Sequence, residues 1–227
     1  MKSTLALLVL LPLVLCDYSL FMGFDTIEAT LGQDFFDCAA GRINYNRNGF
    51  AIIPYTPTAD FAGQVIKAKK AGFLEVHLLL DPNQFSIMNP QAMAQNTLTA
   101  LRNRGTGVSG VWLDVSSNSI VWSDDANANV NTIKGVLTAF QQALRSNFGD
   151  VKAGVYTTSY DWKAVTKGDS TQVSGAGYLY WSKVGDSVNC DTGAFGFQVC
   201  YLQQIQASNY GCNSVMNIDV KRIVNTQ

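Results

Sequence analysis

The alternation of short apolar runs with longer stretches of helical spacing most narrows what this chain can fold into. Strand-like runs fall at residues 21–25, 50–55, 73–80, 108–116, 151–157, 178–183, 200–205 and 215–220, each short and apolar. Between them, residues 59–71 carry apolar positions at helical spacing and stop at Gly72. Residues 90–103 open on Pro90, which suits a first helical turn. Residues 126–147 set Val130, Ile133, Leu137 and Phe140 on one stripe. Eight strands with helices between them, in about two hundred residues, match a compact α/β barrel. The expected fold class is therefore α/β, an irregular (β/α) barrel of about eight strands, TIM-barrel-like. It is irregular because the later helices look short or absent. A doubly wound open sheet is the alternative.

Residues 1–16 lie outside that pattern. Lys2 precedes an apolar run ending at Cys16, with Val14 and Cys16 three and one before a cut ahead of Asp17. This is the pattern of a signal peptide, and the run falls short of the roughly 20 apolar residues a membrane anchor needs. A secreted, extracellular protein with one domain over residues 17–227 is expected. Of five cysteines, Cys16 leaves with the leader, and Cys38, Cys190, Cys200 and Cys212 remain. An even number in an exported chain suggests two disulfides, with three possible pairings. Zinc is a poor reading: no close Cys-x-x-Cys pair occurs, and His77 is the only histidine. No metal or other cofactor is expected. Without Lys2 the chain balances 15 basic against 17 acidic residues. That balance offers no electrostatic footprint for nucleic acid or an anionic membrane. A monomer is expected.

Three of the strand-like runs carry an aspartate at or near their end: Asp25, Asp114 and Asp219. In an α/β barrel the active groups gather at the carboxyl ends of the strands. Side-chain alternation puts Val111, Leu113 and Val115 against helices and sends Trp112, Asp114 and Ser116 inward. The same rule turns Asn217 and Asp219 inward on the last strand. One such aspartate alone reads as a turn or cap residue; three converging at one mouth read as a site.

The ordered pieces Gly-Phe-Asp25, Asn-Gly-Phe-Ala-Ile-Ile (48–53), Ala-Gly-Phe (71–73), Val-Trp-Leu-Asp-Val (111–115) and Ala-Gly-Val-Tyr-Thr-Thr (153–158) continue through Trp162, Tyr180–Trp181, Gln203–Gln204 and Asn-Ile-Asp219. In order and spacing they resemble family-25, or Chalaropsis-type, glycoside hydrolases, and within these the Entamoeba-type lysozyme branch common in nematodes. The likeness runs over about residues 18–220. A chitinase-like barrel would end its fourth-strand motif in a glutamate that this chain lacks. The resemblance implies cleavage of the β-1,4 bond between N-acetylmuramic acid and N-acetylglucosamine in peptidoglycan. It assigns Asp25, Asp114 and Asp219 to the catalytic carboxylates. It also implies a general-acid glutamate two residues after Asp114, where this chain has Ser116.

A serine hydroxyl titrates far too high to protonate a departing sugar oxygen, and losing a general acid is worth a factor of roughly 10² to 10⁴. The mature chain holds only two glutamates, Glu28 and Glu75, and neither stands at the acid's position. The expectation is a lysozyme-like protein with weak or lost hydrolysis that still binds peptidoglycan or a related amino-sugar glycan. The alternative is an active muramidase using Asp114 or Glu75 as the acid. Tyr156, Tyr180 or Trp181, and Gln203 or Gln204 are the candidate sugar contacts, whereas Trp112 and His77 read as interior residues. In a barrel whose first and eighth strands are neighbours, Cys38 after the first and Cys212 before the eighth come together. That leaves Cys190 to pair with Cys200.

Overall fold

The computed structural model describes residues 18–26, 28–43, 49–57, 59–86, 88–168, 178–182, 200–209 and 215–224, with Val173, Phe197 and Cys212 besides. Strand and helix alternate in the first two thirds: β1 (Tyr18–Asp25), α1 (Gln33–Ile43), β2 (Phe50–Tyr55), α2 (Phe61–Lys70), β3 (Glu75–Leu80), a 3-10 turn (Pro82–Ser86), α3 (Pro90–Asn103), β4 (Gly110–Val115), α4 (Ala126–Phe148), β5 (Lys152–Thr157) and α5 (Ser159–Thr166). Three strands follow, β6 (Leu179–Ser182), β7 (Cys200–Asn209) and β8 (Val215–Val224). Helices α2 to α5 start where their caps dictate. Asp60, Asn89, Asp125 and Thr158 precede α2 to α5, and each accepts a hydrogen bond from an otherwise orphaned first-turn N–H.

The fold is mixed α/β. Strands β1 to β5 form a curled parallel half, each linked to the next through a helix. Strands β6 and β7 extend it in parallel, and β8 returns antiparallel to both β7 and β1, so the strands pair in chain order around a ring. The expectation of a TIM-type barrel is corrected here: the regular parallel part is five strands, and an antiparallel strand completes the ring. The reason is chain length. Only residues 210–214 join β7 to β8, whereas a parallel crossover needs a dozen residues or more.

Alternation along the strands divides the core. Val111, Leu113, Val115 and Val155 face outward and pack with Val130, Ile133, Leu137 and Phe140 of α4. Inside the ring lie Phe50, Ile52, Trp112, Tyr156, Trp181 and Leu202. Three glycines make room for these rings. A Cβ on Gly23 would come within 3.0 Å of the Phe50 ring, and one on Gly110 within 3.0 Å of His77 Nδ1. One on Gly154 would meet both Trp112 and the carbonyl of Leu179 within 3.0 Å.

Cys38 of α1 is bonded to Cys212, with Cα atoms 5.8 Å apart, as expected from the neighbouring first and last strands. Of the other expected bridge, Cys190–Cys200, Cys200 is placed by its backbone at the start of β7 and Cys190 lies outside the described residues, as do residues 1–16. No helix among the described residues is long and apolar enough to cross a membrane.

Candidate functional site

Asp25 closes β1 at the carboxyl end of the parallel half and is 2% exposed. A buried carboxylate needs donors, and β7 supplies them: Gln204 Nε2 donates to Asp25 Oδ1 at 3.3 Å and Oδ2 at 3.1 Å. The other end of the same amide accepts from the Tyr156 hydroxyl at 3.1 Å. Because an amide donates only from nitrogen and accepts only at oxygen, this Tyr156–Gln204–Asp25 chain has one direction, crossing from β5 through β7 to β1.

On β4, Asp114 is half-buried and pairs in register with Tyr156 of β5, which puts both on the inner face. Ser116, just past β4, is also half-buried. Its carbonyl accepts from Trp122 Nε1 at 2.8 Å and from the Ser119 N–H at 3.1 Å. Its neighbour Ser117 donates from N (2.9 Å) and Oγ (2.6 Å) to Asp161 Oδ1, while Thr158 Oγ1 donates to Asp161 Oδ2 at 2.8 Å. The backbone at Ser116 is thus held from both sides, by α5 and by the loop to α4. Asp161 is not among the residues that the sequence nominates, although Thr158-x-x-Asp161 is a capping-box pattern that marks it.

Two candidate contacts change character. Trp181 is fully enclosed, its ring 3.9 Å from that of Tyr156 and 5.8 Å from that of Trp112; it packs on neighbouring rings inside the barrel instead of offering a face to a sugar. Tyr156 itself is only 8% exposed, so its hydroxyl is committed to Gln204 and its ring to Trp181. Tyr180 and Gln203 are placed by backbone only, on β6 and β7.

Asp219 also departs from expectation. It lies mid-strand in antiparallel β8, opposite Gly23 and Gln204, and not at the carboxyl end of a parallel strand. Its side chain lies outside the described part. Glu75 opens β3, five residues before the strand's carboxyl end, or about 16 Å away at ~3.3 Å per residue. It bonds His77 at 3.3 Å there, and the geometry separates it from Asp114. Glu28 is exposed just beyond β1. No cluster of three or more metal-ligating side chains occurs among the described residues.

The family model described as Lysozyme-like protein 1 matches residues 36–196. The chain belongs to the lysozyme-like protein family. Lysozyme-like protein 2 of Caenorhabditis elegans is 28% identical over 180 residues, covering 73% of this chain and 62% of that relative. Lysozyme-like protein 1 of the same organism is 25% identical over 155 residues, covering 65% and 50%. The chain spans about half the length of the curated relatives it matches. Among solved structures, the fold is similar to the modular autolysin LytC of Streptococcus pneumoniae, solved with a synthetic peptidoglycan ligand (TM-score 0.59, 13% identity, 88% of this chain and 46% of that one). It is also similar to the catalytic domain of endolysin ply40 from a Listeria monocytogenes bacteriophage (TM-score 0.54, 13% identity, 89% and 93%). At that identity the likeness shows the fold alone. Within this lysozyme-like frame the described candidates divide into a bonded trio (Asp25, Gln204, Tyr156) and a β4 end carrying Asp114 and Ser116.

Proposed function

We propose that this chain is a secreted lysozyme-like protein of the family-25 type that binds peptidoglycan or a related amino-sugar glycan at the carboxyl end of the parallel strands. Its hydrolysis is weak or lost. Family membership and the peptidoglycan-hydrolase fold support the ligand class. A signal-type leader at residues 1–16 supports export.

One observation carries the loss of hydrolysis: the half-buried position two residues after Asp114 is Ser116, and both glutamates of the mature chain lie elsewhere. Glycoside cleavage needs one carboxylic acid to protonate the leaving oxygen and a second group to support the developing cation. Asp114 faces inward beside Tyr156 and suits the second role. Asp25 accepts from the Gln204 amide, and Asp161 accepts from Ser117 and Thr158. Both carboxylates thus have structural donors of their own. The arrangement keeps a polar inner surface for sugar hydroxyls and acetamides while lacking the acid.

Clearing of bacterial cell walls, followed as turbidity beside a peptidoglycan pull-down, tests this reading. The wild-type chain is expected to sediment with peptidoglycan and to clear walls barely above buffer. Ser116→Glu is expected to gain activity with an acidic optimum set by the new carboxyl group. The gain is expected to fall short of the full 10²- to 10⁴-fold worth of a general acid, because an ångström of misplacement costs roughly 10²-fold. Robust clearing by the wild-type chain would refute the proposal, and Asp114→Asn would then show whether Asp114 had taken over proton transfer.

A further inference from the structure

The amino-terminal end of the ring holds a second feature that the glycan reading does not use. A cavity of about 430 Å³ opens there, bounded by Lys69, Glu75, Ser109, Asp150, Lys152 and Tyr201. These residues come from the end of α2, the start of β3, the turns leading into β4 and β5, and β7. The cavity therefore lies at the end of the parallel strands opposite Asp25 and Asp114.

Its charges are arranged in two signs. Glu75 lines one wall with its side chain 35% exposed, and its Oε2 accepts from Nε2 of the fully buried His77. The other imidazole nitrogen of His77 accepts from Trp112 Nε1–H at 3.3 Å, so the proton rests on Nε2 and the ring donates toward the carboxylate. Asp150 is paired with Lys152 and, at 3.7 Å, with Arg145. Lys69 is different. No carboxylate lies within ion-pairing distance of it among the described residues. Although it sits on the exposed face of α2, burial against the wall holds its ammonium below its ordinary pKa.

We propose that this cavity is a binding site for a small zwitterion, a free amino acid or dipeptide, whose carboxylate meets Lys69 and whose ammonium meets the Glu75 side. Asp150 and Lys152 answer each other, which leaves Lys69 to attract a carboxylate and Glu75 to attract an ammonium. A ligand carrying both charges engages both groups, whereas a simple anion or a simple cation engages one and is opposed by the other. The size agrees: at roughly 30 Å³ per water-sized group, the space takes about a dozen non-hydrogen atoms, the size of a dipeptide. The Phe148 ring, which lies over Gly107 at the rim, adds an apolar surface for a small side chain.

Alanylalanine is the probe, titrated into the ¹⁵N-labelled chain lacking its leader. Amide shifts are expected at Val108, Ser109, Lys152 and Tyr201 with saturation in the millimolar range, where small, few-contact ligands fall. They are expected to spare Asp25 and Tyr156. Acetate and ethylammonium at equal ionic strength should each bind at least tenfold more weakly. Lys69→Met and Glu75→Gln, both changes at partly exposed positions, should each weaken alanylalanine binding about tenfold. Absence of shifts up to ~100 mM dipeptide, shifts centred on the carboxyl-end residues, or equal binding of acetate would each overturn the site. Because the probe contains no sugar, its failure leaves peptidoglycan binding at the other end untouched, and the reverse also holds.

Discussion

Gln204 joins two residues that the sequence could only nominate separately. Its amide donates to Asp25 and accepts from Tyr156, and all three are buried. A hydrogen bond to a charged group contributes about 1.5–3 kcal/mol and a neutral one about 1 kcal/mol. Gln204→Met keeps the volume while removing the Asp25 donors, and is expected to destabilise by roughly 2–3 kcal/mol. Tyr156→Phe removes only the hydroxyl and should cost about 1 kcal/mol. If the three residues act as a unit, the double variant should be no less stable than Gln204→Met alone, a coupling of about 1 kcal/mol by urea unfolding. Simple additivity of the two losses would show that the amide is not the link. The same variants tell whether the trio shapes the proposed glycan surface, since Tyr156→Phe retains the ring against Trp181 and, on that proposal, should retain peptidoglycan binding.

At the scale of elements, the glycines of the strands decide how the interior fills. Gly154→Ala would drive a methyl into Trp112 and into the Leu179 carbonyl. The second of these is backbone and cannot rotate away, so a loss of about 1–3 kcal/mol or more is expected. Gly135, inside α4, has nothing within 4 Å of the place a methyl would occupy, and Gly135→Ala should raise stability by about 0.5–1 kcal/mol. Thermal unfolding of the two variants checks both signs. Much at this scale was legible in the sequence. Helix α3 occupies the expected residues 90–103 because Pro90 marks its start, and the inward turn of Trp112 and Asp114 follows from a period of two. Strand direction was harder to see. Alternation says which residues share a face, not which way the strand runs, so β8 could be read as parallel and Asp219 as its end. The clue lay in the short connection before residue 215, which has no room for a crossover. The enclosure of Trp181 was not legible either, because it depends on rings from β4 and β5 reaching the same interior space.

At the scale of the whole molecule, closure of the ring depends on joining the chain's two ends. Strand β1 pairs with β8 from Tyr18–Val224 to Asp25–Asn217, a contact between segments almost as far apart as the described chain allows. Loop closure over such a separation is the costly step in forming the fold. The Cys38–Cys212 bridge, with a sequence separation of 174, holds α1 beside the segment that leads into β8. It thereby keeps the two ends near each other even in the unfolded chain. On the loop-entropy scale a closure of this length contributes roughly 5 kcal/mol, a large share of the ~5–15 kcal/mol by which a domain of this size exceeds its unfolded state. The double variant Cys38→Ser, Cys212→Ser removes the bridge without leaving an odd thiol at either position. Its melting temperature is expected to fall by roughly 10–20 °C in non-reducing buffer, given about 2–4 °C per kcal/mol for a chain of this length. Folding should slow as well, because β1 must then find β8 without a tether. A fall of only a degree or two would mean that β1–β8 pairing is already secured by the sheet and that the bridge adds little to it.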